Sequence, residues 1–480
     1  MKHLHHHAFD SFNALDREGL TVFSRRNMLK AGLAGIAGLS VPRLLETRAE
    51  AARTGRAMSG SKSVILLWMT GGPSHIDTWD PKPDRPLKNR GPFSVISTKL
   101  PGTIICEHLP KQAAMLDKFT LIRSVDCRFS SHEPNRVMQT ANRLARPRTN
   151  PRTGDKYPAI ASIVAKFRGP NNPAMPPYVA FMKARGHIGW GGYLGKAYDP
   201  FIGNQAASLP IVNNVGKLVG QNHAPQIFNL PGSLTHRRIA DRRTLLKDFD
   251  RLRSDLDQSG SMQALDAYSR QAVDLVIGGT ASKAFDLSRE PKAIRARYGK
   301  HIWCQQALLA RRLVGAGVNF VTIDLTYHPS SGTWDNHGDN IPPYGGISRG
   351  LGPLLPLFDH LITTLVSDLE DHGLLDDTLI VAMGDFGRSP NMGTQGSTDG
   401  RNHWPVVMSM ALAGGGLKHG QVIGSSEHDG GHIKSRPVTP GDIAATIYRH
   451  MQVPLDAAYL DSRGRPIPIV QEGAPIRELF

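Results

Sequence analysis

The chain has 480 residues, 40% of them apolar and 20% charged, a balance that can bury a large core and excludes an intrinsically disordered protein. Its formal charge of +16 favours anionic partners: phosphate or sulfate esters, acidic polysaccharide or acidic headgroups. The basic residues are spread along the chain with no zinc-finger spacing and no aromatic ribonucleoprotein-type motif, so no nucleic-acid partner is expected.

The N-terminus reads as an address rather than as part of the fold. In SRRNMLKAGLAGIAGLSV the twin arginines Arg25 and Arg26 precede a weakly apolar run, and Ala49 and Ala51 in RAEAAR offer a small-x-small cleavage site. Residues 1–51 are expected to be a twin-arginine export signal, with the twin-arginine translocase as partner during export and a periplasmic or extracellular destination. The run from Ala31 to Val41 is too short and too rich in glycine to span a bilayer, and no transmembrane anchor is expected after it. The histidines between His3 and His7 leave with the signal.

Residues 52–480 read as a single α/β domain. KSVILLWMTGG (62–72) is a continuous apolar run stopped by glycines, the pattern of a parallel strand buried on both faces. KFTLIRSV (118–125) is a second, followed by a helix capped by Ser130 or Ser131 and running to about Ala145. Residues 146–300 read as a long irregular insertion, rich in Pro, Gly and Asn to residue 240 and polar and helical over 241–276. From residue 303 the order is helix, strand (VNFVTIDL), helix, strand (DTLIVAMGD), which argues for a mostly parallel sheet. The second helix carries an apolar stripe at 354, 358, 361, 365 and 369 and ends before Gly373. GGGLKHG (414–420) reads as a hairpin turn rather than a phosphate loop. VTPGDIAATIYRHM opens a late helix with Thr439 as cap and Pro440 at its first position. The three cysteines, Cys106, Cys127 and Cys304, cannot build a disulfide framework and read as buried thiols.

In open α/β sheets ligands sit beyond the carboxyl ends of the strands, and there the chain places its carboxylates and imidazoles. The first strand leads to His75, Asp77 and Asp80. The strand at 318–323 leads to Asp324, His328, Asp335 and His337. The strand at 378–384 delivers Asp385, and the loop after it Arg388, Arg401 and His403. A mixed Asp and His set suits zinc, manganese or iron better than calcium or magnesium. Arg388 or Arg401 could hold an anionic substrate in a fork. No Gly-x-Ser-x-Gly elbow, Walker loop or His-Glu-x-x-His motif is present.

VILLWMTGGPSHIDTWDPKPDRP, ICEHLP, WDNH, LLDDTLIVAMGDFGRSP, GRNHWP, ALAGGGLKHGQVIG and VTPGDIAATI together resemble the bacterial exported family called domain of unknown function 1501, over roughly residues 62–455. The resemblance implies an alkaline-phosphatase-like three-layer α/β/α sandwich with a mostly parallel central sheet and a long irregular insertion, alongside sulfatases. It makes Asp385 a metal-ligand candidate, although the histidine that follows such an aspartate is here Phe386. It makes His403 the late histidine ligand and favours Asp335 and His337 over Asp324 and His328. Where sulfatases and phosphatases put aspartate after the first strand, this chain has Gly71 and Gly72, so Asp77 would have to substitute as a metal ligand. HEPNRVMQT is similar to the stretch that carries the sulfatase nucleophile, with His132 in that position.

Two functions follow. One is a metal-dependent hydrolase of phosphate or sulfate esters on small molecules or polysaccharide, with metal ligands Asp77, Asp335, His337, Asp385 and His403, and with His132, Arg388 and Arg401 acting on the substrate. The other is a non-catalytic descendant of the same fold that binds an envelope component, a glycan or a protein.

Overall fold

The computed structural model describes residues 61–132, 136–145, 156–222, 279–340 and 343–480. The export signal and the 241–276 helix expected from the sequence lie outside the described residues.

The four runs expected to be strands form strands, and the stretch 146–300, expected to be an irregular insertion, adds two more to the same sheet, Tyr178–Phe181 and Phe201–Ile202. β1 (Ser63–Met69), β2 (Phe119–Val125), β3 (Tyr178–Phe181), β4 (Phe201–Ile202), β5 (Phe320–Asp324), β6 (Thr378–Gly384), β7 (Met408–Gly414) and β8 (Gln421–Ile423) make one sheet, in the order β8-β2-β7-β6-β1-β5-β3-β4. Only β7 runs against its neighbours, β6 and β2; the other pairings are parallel. The sheet is therefore mostly parallel, as expected.

Alternation along β1 divides the core into two layers. Ile65, Leu67 and Met69 join a cluster with Leu308 and Leu309 of α2 (Ile302–Ala316) and with Phe358 and Leu365 of α3 (Gly352–Asp371). Val64, Leu66 and Trp68 face the other way, into a cluster with Ile160 and Val164 of α1 (Ile160–Arg168) and with Ile443 and Ile447 of α4 (Pro440–His450). The sheet with helices on both faces is the three-layer α/β/α arrangement. The α3 stripe Leu354, Phe358, Leu361, Leu365 and Leu369 is buried throughout. Gly317 and Gly373 both take positive φ just after their helices, and Thr439 with Asp442 forms a full capping box at α4.

Two local expectations fail. Among the described residues, the helix expected from Ser130 or Ser131 to Ala145 does not run through to its end: Arg136–Thr140 is helical and Arg143–Ala145 a single turn, because Ala141 at φ 54 breaks the helical path. GGGLKHG is no hairpin turn: β7 and β8 lie on opposite sides of β2, so the loop steps past that strand, with Gly414, Gly415 and Gly416 all at positive φ. Among the described residues no helix is long and apolar enough to cross a membrane. Cys106, Cys127 and Cys304 are buried free thiols.

Candidate metal centre

Parallel register sets the site. β1 lies between β5 and β6, with Trp68 opposite Asp324 and Met69 opposite Gly384, so Thr70–Gly72, the β5 loop and Asp385 emerge together at one sheet edge. Gly71 is required there. At φ +115, a Cβ would stand 2.4 Å from the Asp335 amide nitrogen, so the loop carrying Trp334 and Asp335 can lie on the β1 turn only if that position has no side chain. The aspartate that sulfatases place here has no room.

The chain returns to the same edge through a two-strand ribbon in which Arg388 pairs with His403. The Arg401 amide donates to the Asn336 carbonyl at 2.9 Å, and a Cβ on Gly400 would stand 1.6 Å from the His337 carbonyl oxygen. Glycine thus lets the 400–403 segment lie directly on the 335–337 segment.

His132, Asp335, His337 and His403 meet at this edge, each offering one ligand atom, all within 4.8 Å of one another. His337 Nε2 and His403 Nε2 face each other at 2.7 Å, and His337 Nε2 is 3.2 Å from Asp335 Oδ1. His132 Nε2 stands 3.3 Å from Asp335 Oδ2, an ion pair when the ring is protonated, without the geometry of a hydrogen bond. Its Nδ1 is 3.2 Å from Asp385 Oδ2, which also accepts from the Gly71 amide at 2.9 Å. Phe386 closes the cluster from one side, its ring 4.7 Å from that of His403 and 4.9 Å from that of His132.

Charge in the cluster follows burial and neighbours. Burial opposes ionisation of Asp335, but the Arg388 guanidinium and His132 outweigh it and hold the carboxyl well below the usual range. Burial, with Arg388 and His132 adding to it, pushes His403 down to about 2. Burial also lowers His337. His132 shifts the other way: burial disfavours its charge, but Asp335 and Asp385 on either side win and raise its pKa. Two neutral imidazoles, one imidazole held between carboxylates and one ionised carboxylate form the donor set that a borderline divalent cation takes. Two imidazole nitrogens facing each other at 2.7 Å, with a third imidazole and a carboxylate within 4.8 Å, fit such an ion.

The other sequence candidates are placed elsewhere. Asp77 is not brought to the cluster: it forms a pair with Arg401, whose Nε donates at 2.6 Å and Nη2 at 3.3 Å. Arg401 spends its remaining donors on the carbonyls of Asn89, Ser389 and Pro390. Arg388 holds Asp335 at 2.7 Å and donates to the carbonyls of Gly71, Gly72 and Arg401. Both arginines are 0% exposed, so neither presents a fork to a substrate; they hold loops together. Asp385 stands behind His132. Asp324 accepts from Thr70 Oγ1 at 2.6 Å and from the Lys183 amide at 3.0 Å, with His187 Nδ1 at 2.9 Å, so the Asp335 and His337 pair joins the cluster and the Asp324 and His328 pair does not. His75 Nε2 lies 2.8 Å from the Gly430 carbonyl, and Asp80 binds Lys82 and Ser426. Sequence reasoning passed over His187, although it too follows an apolar strand, β3.

Residues 61–480 match the family described as "Protein of unknown function (DUF1501)". No curated protein matches the chain. Among solved structures the chain is similar to Ps i-CgsB in complex with k-i-k-neocarrahexaose (12% identity, 86% of this chain and 75% of that chain, TM-score 0.39). It is similar to the PsFucS1 sulfatase from Pseudoalteromonas sp. (14% identity, 85% and 70%, TM-score 0.37). A third is the phosphonate monoester hydrolase SpPMH from Silicibacter pomeroyi (12% identity, 88% and 76%, TM-score 0.32). At these scores none of them bears on what the site does; that rests on its side chains.

Proposed function

The chain belongs to the DUF1501 family, and from that premise we propose that it is an exported, metal-dependent hydrolase of phosphate or sulfate esters, with its cation held by His132, Asp335, His337 and His403. The observation that carries this reading is the convergence of three imidazoles and a carboxylate, from three separate loops, on one spot at the carboxyl edge of the sheet. Two of these imidazoles turn ring nitrogens on each other at 2.7 Å, an arrangement that a cation ligated by both would account for.

A divalent cation held by these residues would supply Lewis-acid charge to an ester oxygen and to water. The chain's own residues do the rest. Arg388 keeps Asp335 ionised and fixed. Asp385 holds the Nδ1–H of His132, so that Nε2 faces the cluster. Phe386 shields the rings of His132 and His403 from water. With His132 where a nucleophile would stand, the cluster offers no hydroxyl or thiol to form a covalent ester, and direct attack by water is the route these residues support. The positive balance of the chain draws anionic esters towards it.

The test is metal content and turnover of the purified chain. One zinc, manganese or iron per chain, with cleavage of p-nitrophenyl phosphate or p-nitrophenyl sulfate that disappears in His403→Ala, supports the proposal; a metal-free and inactive native protein ends it. One observation favours a second reading, a binding protein with a structural metal: four protein ligands fill a tetrahedral shell, as in closed structural sites. Stoichiometric metal without turnover of either ester would select it.

A further inference from the structure

Pro210–Val212 and Leu218–Gln221 pair as a separate two-stranded antiparallel ribbon. Nine large apolar side chains are exposed among the described residues. Four of them, Ile211, Val215, Leu218 and Val219, lie on this ribbon and its turn, each 45% to 63% exposed. Exposed apolar side chains scattered singly are ordinary; four within nine residues form a patch, which marks a contact surface. Ile211 pairs with Gly220 and Val212 with Leu218. Successive residues of a strand alternate between faces and paired residues share one, so Ile211 and Leu218 stand on opposite faces. A partner lying flat against one face would leave the other in water.

We propose that this ribbon dips into the surface of an anionic lipid bilayer. A bilayer surrounds what enters it and so covers both faces. The turn is built to leave water. The amides of Val215 and Lys217 donate to Asn213 Oδ1 at 3.1 and 2.9 Å, and the Gly216 amide donates to the Asn213 carbonyl at 3.1 Å. The Asn213 amide donates in return to the Lys217 carbonyl at 3.0 Å. Backbone groups paired inside a turn lose water at little cost. Charge supplies the preference for anionic headgroups. Lys217 lies between Val215 and Leu218, and Lys183 lines one cavity with Ile211. Both lysines are exposed and have no ion-pair partner among the described residues. Residues 182–222 hold four lysines or arginines and one aspartate, so the segment that carries the ribbon is basic. Interfacial binding grows with the apolar area buried and with attraction to anionic lipids, and the ribbon offers both.

The ribbon is seated on the loop that leads to the metal centre. A Cβ on Gly216, at φ +79, would stand 2.7 Å from Tyr327 Cζ, and Tyr327 follows β5 in the loop that carries Asp335 and His337. That a bilayer presents esters to the metal centre rests on the proposed hydrolase; that the ribbon binds a bilayer does not.

The three native cysteines are buried, so Val215→Cys gives the full chain one accessible thiol, at the turn, where a nitrobenzoxadiazole label reads its surroundings. Vesicles of phosphatidylcholine with phosphatidylglycerol are expected to brighten the label and shift it to the blue, and vesicles of phosphatidylcholine alone to do so more weakly. Leu218→Asp in the same background should weaken the partition about tenfold, and Lys217→Ala about fivefold at low salt. A label that stays in water on anionic vesicles overturns the proposal, and so does a response that Leu218→Asp leaves unchanged. Both side chains are exposed, so neither change should move Tm; a Tm lowered by Leu218→Asp would mean that the chain itself covers the ribbon, and the proposal falls. A blue shift that grows with protein concentration in the absence of vesicles would assign the ribbon to a second copy of the chain instead. Insertion of the labelled turn without turnover of any ester would leave the ribbon's role standing and remove the hydrolase.

Discussion

Asp385 Oδ2 lies 3.2 Å from His132 Nδ1 and is pinned by the Gly71 amide at 2.9 Å. The carboxylate and the imidazole lie in the segments that follow different strands, β6 and β2, and the turn that fixes the carboxylate follows a third, β1. The consequence is chemical. A carboxylate on Nδ1 holds the tautomer whose Nε2 lone pair is free, and it makes that nitrogen a better donor to a metal. In the proposed metal centre Asp385 would thus orient His132 without itself ligating.

Asp385→Asn should therefore weaken metal affinity about 10–100-fold and leave the ligand set intact. Competition with a chromophoric chelator measures the affinity, and the visible spectrum of the cobalt-substituted protein reports the donors. The expected outcome is a weaker site with an unchanged spectrum. An altered spectrum in Asp385→Asn would show that the carboxylate is itself a ligand. His132→Ala should change both.

Arg401 gives the opposite prediction to that of a substrate-binding arginine. It is wholly buried against Asp77, so Arg401→Met leaves an uncompensated carboxylate and three unpaired carbonyls inside the protein. A loss of about 3–5 kcal/mol of stability is expected, read by urea denaturation, with metal stoichiometry retained wherever the variant is folded. A variant as stable as the parent but deficient only in ester binding would return Arg401 to the substrate.

The same pair shows where legibility ends. β1, β5 and β6 could be read because each is a mainly apolar run ended by glycine or aspartate. The rule that strand ends carry chemistry gathered Asp335, His337, Asp385 and His403 together with His75, Asp77, Asp80, Asp324 and His328; only the family resemblance favoured Asp335 and His337 over Asp324 and His328. Nothing local announces that Asp77 will meet Arg401, 324 residues further on. Their pairing depends on how two loops cross, and loop crossings have no periodicity. Asp324 misleads for the same reason, since its Asp-x-x-x-His spacing was visible while its actual partner, His187, sits at the end of another strand. His132 was read as standing where a nucleophile stands. Its second carboxylate neighbour, which makes it a ligand candidate, appears only when β2 and β6 share an edge. The crossing of β2 by the 414–420 loop was hidden likewise, because glycines signal a turn but not which strand lies beyond it.

Acid should destabilise the protein from about neutrality downward. Burial pushes His450 down to about 4, with Lys62 and Arg168 adding to the effect, and its Nε2 lies 2.9 Å from the Ser63 carbonyl. Its ordinary value is 6.5, so the unfolded chain takes the proton first. The stability this neutral histidine contributes is complete above pH 6.5 and is lost as pH falls towards 4, by up to about 3 kcal/mol. His301, lowered to about 4 by burial alone, adds to the same slope. Calorimetric Tm between pH 7.5 and 4.5 should fall, and His450→Gln should flatten the curve. A Tm slope equal in the variant and the parent would remove His450 from the account.

The folded-state export that the proposed twin-arginine signal implies would fit the thiols as well as the proposed metal centre. Cys106, Cys127 and Cys304 are at most 1% exposed, and burial pushes each up to about 12. In the folded protein they are protonated, inaccessible and inert to exchange. A chain crossing the membrane unfolded would instead expose three reactive thiols to an oxidising compartment, and would reach it without the cation. The twin-arginine reading of residues 25 and 26 predicts that the double change Arg25→Lys and Arg26→Lys leaves a full-length chain in the cytoplasm, while the parent appears outside it, shortened by its signal. Immunoblots of fractionated cells measure this directly. A shortened double variant outside the cytoplasm would mean that the arginines are not the address, and that the thiols and the metal centre survive passage some other way.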